Sequence, residues 1–216
     1  MNGATKTRLA YIHLRIWAGT AVFAVLSGWN TELPQYVTVK PRQNTQLSAL
    51  ENLKLLDLGG HQIWPDPKSL PKAIALVFIL PDCPICNAYI PELNRMNDEL
   101  TSQGIQLVLV HADTTLTADE AAKHAREYHL QMPVAVDPHR AWIEKAEATM
   151  APEAAVFSPT LELLYRGRIN NQYAELGQRR AVVTSHDLRE ACEAILAGQP
   201  VKEPRTQAIG CFIPRD

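Results

Sequence analysis

The chain has 216 residues, 46% of them hydrophobic, and a formal net charge of −2. That length supports one well-buried core with extensions and is short for two domains. Its 21 basic residues are interspersed with 23 acidic ones, which excludes a basic nucleic-acid footprint, and four cysteines are too few for a disulfide scaffold.

Lys6, Arg8, His13 and Arg15 precede an apolar run from Ile16 to Leu26, and Val25-Leu26-Ser27 surrounds a candidate cleavage point. Residues 1–28 therefore read as a secretory signal peptide or an N-terminal membrane anchor. The apolar run is about half of the roughly 20 residues that a spanning helix needs, and a peripheral amphipathic helix is the plain alternative. A signal would place the protein in the periplasm or another extracytoplasmic compartment, secreted or tethered through residues 16–26, where a cysteine pair can cycle through its oxidised state. Residues 29–49, polar and carrying Pro34 and Pro41, read as a linker.

The folded domain is expected over residues 50–198. Leu53–Leu58 and His61–Trp64 flank Gly59-Gly60 as a short hairpin. Ala73–Leu80 is continuously apolar, the pattern of a strand buried on both faces. From Pro84 the period changes: Ile85, Tyr89, Leu93, Met96 and Leu100 recur every three or four residues, predicting a helix that Gly104 stops.

A second buried strand follows at Ile105–Val110. Thr117–His129 is predicted helical, with Thr117 and Glu120 in capping-box spacing. Met132–Val136 predicts a strand, His139–Thr149 a helical stretch, and Ala154–Phe157 with Leu161–Tyr165 a hairpin joined at Ser158-Pro159-Thr160. Ser185 is expected to cap a closing helix, His186–Leu196, with Leu188, Cys192, Ile195 and Leu196 on its apolar face. Residues 199–216 form a C-terminal tail. Alternating strands and helices, then a hairpin and a final helix, predict an α/β domain: a central mixed sheet flanked by helices on both faces.

Cys83-Pro84-Ile85-Cys86 lies at the junction between the buried strand and the amphipathic helix. With Cys83 as the cap, Pro84 takes the first helical position, where its missing N–H costs nothing, and Cys86 lies one turn along. The first-turn N–H groups and the helix dipole favour the Cys83 thiolate. Cys83 is therefore the candidate nucleophile for a substrate disulfide, and Cys86 the thiol that resolves the mixed disulfide. Asp82 opposes the thiolate, so whether the pair oxidises or reduces is not legible. A zinc site would need two further closely spaced ligands, and neither Cys192 and Cys211 nor the scattered histidines supply them. The residues call for no metal and no cofactor.

The order of hairpin, buried strand, C-P-x-C, long helix and strand, with Ala151-Pro152 before a final hairpin, resembles the thioredoxin-fold redoxins of the TlpA-like and peroxiredoxin-like branches over about residues 50–198. Met150-Ala151-Pro152-Glu153-Ala154-Ala155-Val156-Phe157 is similar to the segment in which those proteins carry a cis-proline facing the redox pair. The resemblance implies that Pro152 belongs to the catalytic constellation. It also implies that Ala151 and Pro84 belong to the substrate-binding surface, Ala151 by pairing its backbone with an extended substrate. Leu164–Asn170 resembles a hairpin ending of the same family, and Ala208-Ile209-Gly210-Cys211-Phe212-Ile213 a Gly-Cys tail of some peroxiredoxin-like members. The implied partners are protein thiols and disulfides and an electron-donor redox protein.

Cys211 reads as a third redox thiol, an intermolecular cross-link, a metal ligand or a small buried apolar residue, the last slightly favoured; Cys192 reads as inert core. Two alternatives stand beside the oxidoreductase. A peroxiredoxin-like antioxidant protein would have weak peroxidase activity at most, because Leu80 stands three residues before Cys83, where a peroxidase loop carries threonine. A Sco-like copper-binding protein would join the two cysteines to His111, at the end of the neighbouring strand, although its cysteine spacing is one residue longer than that of Cys83 and Cys86.

Overall fold

The computed structural model describes residues 53–64 and 70–215, so the readings of residues 1–28 and 29–49 lie outside the described residues. The described chain opens with a hairpin in which β1 (Leu55–Leu56) pairs antiparallel with β2 (Gln62–Trp64). Asp57 closes the turn: its Oδ1 accepts from the backbone N–H groups of Gly59 and His61.

The remaining elements follow in order: β3 (Ala73–Ile79), α1 (Pro84–Gln103), β4 (Ile105–His111), α2 (Ala118–Glu127), β5 (Val134–Val136), α3 (Ala141–Ala146), β6 (Met150–Ala151), β7 (Glu153–Phe157), β8 (Leu163–Gly167), β9 (Tyr173–Glu175), β10 (Gln178–Arg179), α4 (Asp187–Leu196) and β11 (Cys211–Phe212). The central sheet has the order β5-β4-β3-β7-β8. β3 runs parallel to β4, and β4 to β5, while β7 is antiparallel to both β3 and β8. The sheet is therefore mixed, and the fold is the expected α/β thioredoxin-like one.

Every residue of β3 is fully buried. Successive side chains of a strand point to opposite faces, so both faces of the sheet centre are covered. The predicted stripe of α1 is the face it buries, extended by Cys86 and Ile90. The helix stops at Gly104, which takes the left-handed conformation at φ 95° and returns its N–H to Leu100 and Thr101. In α2 the Thr117 and Glu120 capping box forms in both directions.

Two local readings are corrected, and one hairpin is added. The stretch His139–Thr149 is helical only over α3. Arg140 and Glu147 bound it in left-handed conformations, the buried Asp137 accepts from the Trp142 and Ile143 N–H groups at its start, and Thr149 has already turned towards β6. The cap of α4 is His186 rather than Ser185: the His186 side chain makes no capping hydrogen bond, and the Glu190 carboxylate reaches back to accept from the His186 N–H. The β9 and β10 hairpin, largely exposed, was not legible from the pattern.

The tail after α4 packs back onto the domain. Arg166 donates its N–H to Pro204, Thr206 donates to the Arg166 carbonyl, and the Thr206 hydroxyl meets both the Arg168 N–H and the Tyr165 hydroxyl. A β-carbon at Gly167 would lie 2.8 Å from the Thr206 nitrogen, so only glycine admits this approach. Beyond it, β11 pairs antiparallel with β6.

Candidate redox site

β3 delivers the chain to the front edge of the sheet, and Cys83 stands there as the N-cap of α1 in extended conformation, at φ −88° and ψ 110°. Its N–H donates to Leu80 and its carbonyl accepts from Asn87, while Pro84 occupies the start of the helix, exposed. Cys86 is fully buried one turn further, and desolvation pushes its thiol up to about 12 from 9.0. The same burial pushes Cys192 up to about 12, in keeping with its reading as inert core.

Ala151 and Pro152 lie opposite, joined by a cis peptide bond. The Cys83 sulfur is 3.4 Å from the Ala151 carbonyl oxygen across 68 residues of sequence. Glu153, almost wholly buried, fixes this segment: its Oε2 accepts from the Thr149 and Met150 N–H groups, and its Oε1 lies 3.1 Å from Arg166 Nε.

Of the readings open for Cys211, the slightly favoured one, a small buried apolar residue, does not hold: Cys211 is half-buried and forms a disulfide with Cys83, with Cα atoms 6.2 Å apart. β11 positions it there, setting Cys211 opposite Ala151 and Phe212 opposite Met150. The Gly-Cys dipeptide in the tail was the available signal. The bonded sulfur of Cys83 has no proton, so its approach to Ala151 is a packing contact rather than a hydrogen bond. Cys86 remains a free thiol.

His111 ends β4 at the same edge, opposite Ile79 in register. Neither of its ring nitrogens has a hydrogen-bond partner among the described residues, and its ring stands edge-on to His124 with centroids 5.0 Å apart. Burial first, and His124 second, bring its pKa down to about 4 from 6.5. His124 donates through Nε2 to the Asn87 side-chain oxygen, and Asn87 donates to the Pro81 carbonyl, bracing the loop before Cys83. Among the described residues, no group of three or more His, Cys, Asp and Glu side chains is placed to hold a metal ion. No helix among the described residues is long and apolar enough to cross a membrane.

Comparison with known proteins follows the same lines. Residues 51–166, more than half of the chain, match the AhpC/TSA family, a match that ends before the tail and Cys211. Among solved structures, an uncharacterised conserved protein from Geobacillus kaustophilus shares 24% identity at a TM-score of 0.65, covering 76% of this chain and 88% of its own. A hypothetical protein from Sinorhizobium meliloti 1021 shares 23% identity at 0.63, covering 74% and 88%. At these identities the likeness is one of fold. No curated protein matches the chain. By fold and by family match, the chain belongs to the AhpC/TSA family and is a thioredoxin-fold redoxin.

Proposed function

We propose that the protein is a thiol-disulfide oxidoreductase, with Cys83 as nucleophile, Cys86 as resolving thiol, and Ala151 and Pro152 as the edge on which an extended polypeptide docks. One observation carries the reading: Cys83 is bonded to the sulfur of a segment whose backbone pairs with Ala151. That is the arrangement a mixed disulfide with a docked substrate would have.

In the reducing direction the Cys83 thiolate, favoured by the helix N-terminus, attacks a substrate disulfide. A Cys83–substrate bond forms, the substrate bond breaks, and one substrate thiolate leaves. Cys86 then gives its proton to solvent and attacks the Cys83 sulfur, forming Cys83–Cys86 and releasing the second substrate thiolate. Two electrons have passed from the dithiol to the substrate, and a donor redox protein with its own dithiol returns them. The exported or membrane-tethered location rests on the basic and apolar sequence of residues 1–28.

Peroxide reduction has less support, since Leu80 stands where a loop hydroxyl would be needed. Reduction of insulin disulfides with a dithiol donor tests the reading: Cys83→Ser should abolish turnover, and a retained rate would overturn it.

A further inference from the structure

The oxidised site is closed by its own chain. Cys83 is only 2% exposed, and residues 210–212 lie on the edge assigned above to substrate. The tail is fastened on both sides of Cys211. Before it, Thr206 is clamped by Tyr165, Arg166 and Arg168. After it, the Ile213 N–H donates to Thr149 and the Arg140 guanidinium donates to the Pro214 carbonyl. Exposure alternates as in a bound strand: Cys211 turns to Cys83, Phe212 is 80% exposed, and Ile213 is 4% exposed.

Position 210 tolerates no side chain. A β-carbon there would collide with the Ala151 carbonyl oxygen and stand 2.6 Å from its carbonyl carbon, both atoms of backbone that cannot swing aside. The contact belongs to the docking edge itself, so it would restrict any polypeptide that pairs there in the same register.

We propose that residues 209–212 are a built-in substrate segment that closes the site while Cys83–Cys211 is oxidised, and that the same edge selects external polypeptides in which glycine precedes the reacting cysteine. The inference rests on the oxidoreductase reading and adds its regulation and its substrate class. Opening is an internal exchange. Cys86 loses its proton to solvent and attacks the Cys83 sulfur; Cys83–Cys86 forms, Cys83–Cys211 breaks, and Cys211 leaves as a thiolate that takes up a proton. No electrons are gained or lost, and the edge is freed with the active pair oxidised.

Two peptides test this on the reduced full-length protein: Ala-Ile-Gly-Cys-Phe-Ile with its cysteine as a mixed disulfide to thionitrobenzoate, and the same peptide with valine for glycine. The glycine peptide should release thionitrobenzoate about tenfold faster or more, the discrimination that an overpacked contact of this kind produces. Equal rates would overturn the proposal. In the chain, Gly210→Val should lose the Cys83–Cys211 linkage in peptide maps of the oxidised, alkylated protein while its circular dichroism stays that of the parent; an undiminished linkage would also overturn it. Ellman's reagent separates the two readings. Failure of Cys83 to react with it sinks the oxidoreductase, whereas normal reaction with equal peptide rates sinks only the tail.

Discussion

Cys211 lies opposite Ala151 in the pairing of β11 with β6, which brings its sulfur onto Cys83. The two residues are far apart in sequence, and what unites them is backbone pairing at the mouth of the site. If Cys86 resolves what Cys83 captures at that mouth, Cys86→Ser should keep the first step and lose the second. Insulin turnover should fall by about a hundredfold or more, with a stoichiometric Cys83 mixed disulfide accumulating. Non-reducing gels with mass mapping check it; undiminished turnover would assign resolution to another thiol.

The buried Cys86 thiol sets a pH dependence. Its pKa is raised to about 12, so near neutrality only a small fraction is ionised, and the rate of internal exchange from Cys83–Cys211 to Cys83–Cys86 should rise about tenfold per pH unit. Acid-quenched peptide mapping between about pH 7 and 9 measures the slope. For stability the sign runs the other way. A raised folded pKa contributes stability that is complete below 9.0 and lost as pH climbs towards 12, and Cys192 adds to the same alkaline loss.

His111 governs the acid side. Its folded pKa is held at about 4, below the ordinary 6.5, so the unfolded chain binds the proton first. Stability is then complete above 6.5 and is lost as pH falls towards 4, by an amount on the order of 3 kcal/mol. His111→Leu should flatten this limb, read as the shift of the urea midpoint over that window. An unchanged pH dependence would assign the limb to other groups.

The Cys83–Cys211 bond spans 128 residues. Closing so long a loop restricts the unfolded chain, and Cys211→Ser should lower the stability of the oxidised protein by about 2–4 kcal/mol. Guanidinium unfolding with and without reductant measures it. In the presence of reductant the variant and the parent should converge.

Glu153 is a buried carboxylate that holds the Thr149 and Met150 N–H groups, just before Ala151, and faces Arg166. Glu153→Ala should cost about 3 kcal/mol, discounted below the upper range for a broken buried pair because Arg166 keeps some access to water. The guanidinium midpoint again reports it.

The sequence was most informative where one local force acts alone. The uninterrupted apolar run of β3, the three-and-four spacing of α1, and the Thr117 and Glu120 capping box each reflect neighbours along the chain, and each stands where the pattern placed it. Cys83 at the head of α1 was legible for the same reason, since Pro84 is favoured at the first position of a helix. The end of α3 was less so: Glu147 leaves the helix because Ala148 and Thr149 must turn into β6, a tertiary demand without a local mark. Cys211 was hardest. Its place depends on β11 meeting β6 and on Thr206 lying against Gly167, contacts between residues about 40 to 60 positions apart that no periodicity encodes.

The fastening of the tail on both sides of Cys211 has a kinetic consequence. The Thr206 and Pro214 contacts do not involve the disulfide, so if they persist once it opens, residues 207–212 can lift and return without the tail leaving the protein. A strand tethered this closely acts at an effective concentration of millimolar order. If substrate docks on this edge as proposed, an external polypeptide would have to compete against that local concentration, so a single weakly held cysteine would be turned away and a polypeptide bringing additional contacts would gain the edge.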